Sequence, residues 1–174
     1  MAGSYSGRLQ GAGTPFDWPE AIGFGRQPFA SFPAGADACV AGSQGVALGI
    51  FGWINPVTFQ VTNARSSGAI LGFVLPVFNM YNWQRAFPQR SPPPVGRQLI
   101  LRAGLECIVA LAGDFVTTFP LGALVGSRVW TDPATGVPYG EDHGGYVATR
   151  WTVMQNGCGC NARLRISSFV KPLH

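Results

Sequence analysis

GVALGIFGWINPVT (residues 45–58) and GALVGSRVWTDPAT (residues 122–135) carry Gly, Gly, Trp, Pro and Thr at one constant offset. In each stretch a short apolar run ends on Trp53 or Trp130, and Asn55-Pro56 or Asp132-Pro133 then bends the chain. Asn and Asp accept local backbone hydrogen bonds, and the proline that follows presets φ to a turn value. Both stretches read as a strand running into a tight turn, a β structure built for shape. Internal duplication and coincidence both account for the match. They part on whether the two tryptophans occupy equivalent places in the fold.

The rest of the chain agrees with β structure. A length of 174 residues fits one domain, which buries on the order of 70% of its extended surface and needs no covalent staple. Charged residues make up 11%, while Gly (24) and Pro (14) are abundant, which disfavours surface helices rich in Lys and Glu. Breakers rarely leave twelve residues uninterrupted. Candidate strands fall at residues 45–54, 60–62, 69–75, 98–102, 105–112, 115–119, 127–130, 146–154 and 162–168. Short strands between turn signals predict an all-β fold, a single compact β-barrel or jelly-roll-like sandwich. Leu105, Cys107, Val109 and Leu111 form an inward set, with Glu106 facing out.

Two segments stand apart from this body. Residues 1–37 hold Phe16, Trp18, Phe24, Phe29 and several prolines without helical or alternating period, and predict an extended N-terminal arm. Leaving such side chains in water is unfavourable by about 1.5–3 kcal/mol each relative to full burial, so they land either on the chain's own body or on a neighbouring subunit. Residues 38–174 form the β body. Within it PQRSPPPVG (88–96) predicts a stiff exposed loop, because prolines cannot supply ladder donors.

Few side chains invite chemistry. His174 ends the sequence, and His143 follows Glu141 and Asp142 directly, so these three side chains do not converge on one another as a triad would. Asp114 follows Gly113 at an expected turn, and no Gly-rich phosphate loop with its Lys is present. Cys158 and Cys160 flank one glycine, closer than structural zinc spacing, and read as packed small residues. The expectation is a non-enzymatic protein with no catalytic, cofactor or metal residues. No basic region precedes an apolar core at the N-terminus, and the longest apolar run, 69–78, is about half a membrane helix, so neither a signal peptide nor a membrane span is expected.

The net charge of +4 rests on eleven arginines and the single Lys171. Arginine favours forked contacts with carboxylates in protein interfaces. The arginines look dispersed along the sequence, which argues against direct nucleic-acid binding. Arg163 and Arg165 alternate with Leu164 and Ile166 as on a half-buried strand, a solvated face or a contact face. Together with Phe16, Trp18, Phe24 and Phe29 they are the candidate protein-interface residues.

The order of landmarks over residues 45–169 resembles the capsid cement, or head decoration, proteins of tailed bacteriophages. FGWINPVTFQVTNARSSG leads to GFVLP, then Arg102-Ala103-Gly104, Gly113-Asp114-Phe115, GSRVW with DPATG, Gly145-Tyr146-Val147 and TRWT. The resemblance implies a structural virion protein, made in the host cytoplasm and located on the capsid exterior. It would bridge copies of the major capsid protein, as a homo-dimer or homo-trimer on the shell. The segment 81–97 and the Cys-Gly-Cys pair depart from that pattern, and no site residue is carried over. A tail or baseplate module is the alternative; a carbohydrate-binding β protein stacking sugars on Trp18, Trp83 or Trp151 is a third.

Overall fold

A computed structural model describes residues 39–76 and 100–173. The arm, with Phe16, Trp18, Phe24 and Phe29, lies outside the described residues, as do Trp83 and the 88–96 loop. What is described contains fourteen strands and no helix, so the chain is all-β. In the first half these are β1 (Cys39–Ala41), β2 (Val46–Ala47), β3 (Phe51–Ile54), β4 (Gln60–Thr62), β5 (Ile70–Pro76), β6 (Ile100–Leu101) and β7 (Glu106–Ala110). The second half holds β8 (Asp114–Phe119), β9 (Gly122–Ala123), β10 (Arg128–Thr131), β11 (Pro138–Tyr139), β12 (Val147–Val153), β13 (Gly157–Cys158) and β14 (Ala162–Ser167).

The halves are one seven-strand unit built twice. Strand order β1-β7-β5-β3-β4 closes into a barrel in the first through the β1–β4 pair, and β8-β14-β12-β10-β11 repeats that order in the second without the closing pair. Ribbons β2-β6 and β9-β13 correspond as well. Residue registers repeat too: Trp53 opposes Thr62 and Leu71, as Trp130 opposes Tyr139 and Ala148. Even the turns match. Asn55 Oδ1 accepts from the Val57 amide at 2.9 Å and Asp132 Oδ1 from the Ala134 amide at 2.9 Å. The Phe59 amide then donates to the Asn55 carbonyl and the Gly136 amide to the Asp132 carbonyl. Left-handed φ recurs at Phe59 (55°) and Gly136 (75°), and at Gly104 (75°) and Asn161 (58°). Coincidence does not reproduce registers, turns and backbone signs together, so the paired sequence stretches mark a structural duplication. The first copy has residues 77–99 between β5 and β6, where the second crosses from Val153 to Gly157.

Small residues let the first copy close. Gly52 and Gly72 face into the barrel, where a Cβ would lie 2.6 Å from Val74 Cγ2 or 2.5 Å from Val109 Cγ1. Leu105, Cys107, Val109 and Leu111 point inward with Val61 and Val74, as their alternation predicts, and Glu106 is exposed. In the second copy Val129 and Trp151 take the interior side of β10 and β12. β12 accommodates Trp151 by a bulge that breaks the register between Arg128 and Trp130. The wider sheet is filled from outside: Phe51, Phe73 and Leu75, on the outer wall of the barrel, join Phe115, Phe119, Trp151, Val153, Leu164 and Ile166 in one core. Burying side chains of this size contributes about 1.5–3 kcal/mol each.

Main-chain contacts fasten the copies. The Phe51 amide donates to the Gly136 carbonyl at 3.0 Å, the Arg65 amide to the Pro133 carbonyl at 2.7 Å, and Thr117 Oγ1 to the Gly49 carbonyl at 2.7 Å. Gly136 is required there, because its backbone passes so close to Phe51 that no side chain fits. The single strand expected over 45–54 is instead two, β2 and β3, because Gly49 takes φ 76° and turns the chain between them.

Candidate interaction surface

The second sheet has one face on the shared core and the other turned outward. Alternation along β14 puts Leu164 and Ile166 in the core, so Arg163 and Arg165 point outward, Arg163 exposed and Arg165 partly so. Arg165 opposes Val116 on β8, which brings its Nη2 to 3.1 Å from Asp114 Oδ2. Asp114, expected to serve a turn, is therefore the carboxylate of an ion pair on this face. The pair is largely sheltered, with the Asp114 side chain 18% exposed and that of Arg165 31%.

Folding also gathers cations that are far apart in sequence. Arg128 leaves β10 on the outward side, opposite Thr152 of β12. Arg150 leaves β12 on the same side, and its Nη1 donates to the Leu111 carbonyl at 3.2 Å. Lys171 is exposed on the C-terminal segment, which crosses this face. Thr152 Oγ1 donates to the Val170 carbonyl at 2.7 Å, the Phe169 amide to Ser167 Oγ, and the Leu173 amide to the Gly126 carbonyl at 2.9 Å. Of the cations among the described residues, only Arg65 and Arg102 lie in the first copy. The dispersed arginines of the sequence are thus a concentration in space, because antiparallel pairing brings three separate strands side by side.

Apolar side chains share the same region. Phe169, Val170 and Leu173 are exposed on the crossing segment, and Leu124 and Val125 beside Gly126 are exposed too. Their counterparts in the first copy, Ala47 and Leu48, are buried. Leu48 packs into the closed barrel; the second sheet has no closed interior at that end to receive Val125.

The residues weighed for chemistry have structural employment. Asp142 Oδ1 accepts from the Gly144 amide at 2.9 Å and the Tyr146 amide at 3.3 Å, which shapes its own loop. His143 Nε2 lies 3.7 Å from the exposed Glu141 carboxylate, and its ring packs against Tyr139 and Tyr146. The Tyr146 phenol is pushed above its usual value by desolvation, by its hydrogen bond with Tyr139, and by nearby negative charge. Cys158 and Cys160 are exposed rather than packed, a correction to the expectation, because β13 is a two-residue ribbon at the edge of the second copy. Among the described residues no three His, Cys, Asp or Glu side chains converge as metal ligands would, and no helix is long and apolar enough to cross a membrane.

Trp151 cannot stack on a sugar: it is 1% exposed, packs edge-on to Phe51 at 5.2 Å, and donates its Nε1 proton to the Gly113 carbonyl. Sequence alternation places Arg163 and Arg165 on their face. It misses Arg128, Arg150, Phe169 and Leu173 as their neighbours; the duplication, which pairs β10 with β12 as β3 pairs with β5, is the signal that would have brought Arg128 and Arg150 to adjacent strands. No protein-family model and no curated protein matches this chain.

Proposed function

We propose that this chain is a structural, non-enzymatic virion protein of the capsid cement type, which binds the outside of a tailed-phage head and bridges neighbouring major capsid subunits. The observation that carries the proposal is the fused duplication. Two seven-strand units share one aromatic core and are tied by main-chain hydrogen bonds, so the body offers two related but unequal outer walls held at a fixed separation. A bridge between shell subunits needs that property, because pressure from packaged DNA pulls subunits apart and the bridge must transmit the load. The run that resembles cement proteins spans the duplicated body from β2 to β14. Many copies on one shell make individually weak bonds collectively strong. In this reading the protein works as a homo-dimer or homo-trimer on the capsid exterior after synthesis in the host cytoplasm.

Mixing purified protein with capsids stripped of decoration tests the proposal. Saturable binding at fixed stoichiometry, with a higher temperature of shell disruption, is the expected result. Absence of binding rejects it, and virion fractions in which the protein occurs only in tails replace it with the tail-module reading.

A further inference from the structure

We infer that the outer face of the second sheet, with the C-terminal segment crossing it, is the docking surface for a protein whose matching surface is acidic around an apolar centre. The inference deepens the capsid proposal and rests on it for the identity of the partner. Arg128, Arg150, Arg163, Arg165 and Lys171 all belong to this face, and Asp114 is the carboxylate paired within it. Phe169, Val170 and Leu173 are exposed on the crossing segment, and Leu124 and Val125 are exposed next to Gly126, whose carbonyl accepts from the Leu173 amide. An apolar patch with a polar and charged rim is the usual composition of a protein contact, in which burial supplies the affinity and charge steers the encounter.

The excess of cations selects an acidic partner. The apolar centre selects protein over nucleic acid, because a phosphate backbone has nothing to bury against Val170 and Leu173. The duplication adds an internal comparison. Ala47 and Leu48 are covered within the first copy, whereas Leu124 and Val125 at the equivalent places are left for another molecule to cover.

The test compares two double charge reversals of the full chain, R128E/R163E on this face and R65E/R102E on the first copy, both at exposed positions. Binding to stripped capsids at low salt should weaken at least tenfold for R128E/R163E and stay within about twofold for R65E/R102E, with thermal midpoints unchanged; tenfold corresponds to about 1.4 kcal/mol. L124S/L173S should weaken binding similarly without the salt dependence. Equal binding by the two reversals overturns the surface and leaves the capsid function standing. If the wild-type protein ignores capsids, the capsid function fails, and elution from a carboxylate cation-exchange resin judges the face separately. Earlier elution of R128E/R163E than of R65E/R102E supports it, and co-elution overturns it. Binding of a duplex DNA oligonucleotide that R128E/R163E abolishes overturns the protein partner in favour of phosphate.

Discussion

Phe73 and Phe115 lie face to face, ring centroids 4.6 Å apart and planes 7° from parallel, one on the outer wall of the barrel and the other on the inner face of the second sheet. Both are fully buried, so this stack is a joint between the two copies. Phe73→Ala or Phe115→Ala should each cost about 3–5 kcal/mol. The double variant should cost less than the sum of the two by about 0.5–1.5 kcal/mol, the coupling expected of an aromatic pair. Chemical denaturation of the four proteins in the cycle measures it, and strict additivity contradicts the joint.

Closure of the barrel depends on the absent side chain at Gly52. A Cβ there meets Val74 Cγ2 at 2.6 Å and Val61 Cγ1 at 3.2 Å. Gly52→Ala should destabilise the fold by about 1–3 kcal/mol through overpacking. Adding Val74→Ala should recover part of that loss, although Val74→Ala is itself destabilising in the wild-type background. The sign of the coupling, read from thermal midpoints, decides the point.

Trp53 and Trp130 hold equivalent positions but not equal burial. Trp53 is 2% exposed and Trp130 is half-buried. Trp53→Ala should cost about 3–5 kcal/mol and Trp130→Ala clearly less, against the equal dependence that their matching sequence contexts imply. Expression and unfolding of the two variants side by side separate the outcomes.

Each turn rests on one side chain. Asn55 Oδ1 accepts from the amides of Val57 and Thr58, and Asp132 bonds the Ala134 amide and Thr135 Oγ1. Asn55→Ala and Asp132→Ala should each lower stability by about 1 kcal/mol, roughly additively when combined, because the two turns share no hydrogen-bond partner. Urea midpoints of the single and double variants check this.

Burial, with a smaller contribution from Cys39, pushes the Cys107 thiol up to about 12. The folded state therefore keeps its proton where the unfolded chain, with a value near 9.0, loses it. Such a group contributes stability that is complete below pH 9 and is lost as pH rises from about 9 toward 12. Cys107→Ala should flatten the fall in thermal midpoint over that interval. In native protein at pH 8, N-ethylmaleimide should modify Cys158 and Cys160 and spare Cys39 and Cys107, with all four reacting after denaturation; mass spectrometry counts the additions.

Local chemistry made much of this legible in advance. The turns at Asn55 and Asp132 depend on residues two to four positions away, so their twin sequences were enough to specify twin geometries. Two-residue alternation was likewise enough to turn Cys107 and Val109 inward and Arg163 outward. The two-residue strands β9, β11 and β13 left no periodic trace, since a strand that short shows no alternation to read.

By itself the sequence determined an all-β chain with a repeated strand-and-turn unit, because backbone preference and side-chain alternation are properties of neighbours along the chain. Tertiary structure decided that one copy closes and the other opens. Closing a sheet brings its opposite walls together, and the side chains that meet there come from distant strands, Gly52 and Gly72 in one copy and Val129 and Trp151 in the other. It also decided where charge collects. Arg128, Arg150, Arg163 and Arg165 are scattered along the chain and become one face through antiparallel pairing, a long-range register set by the shared aromatic core.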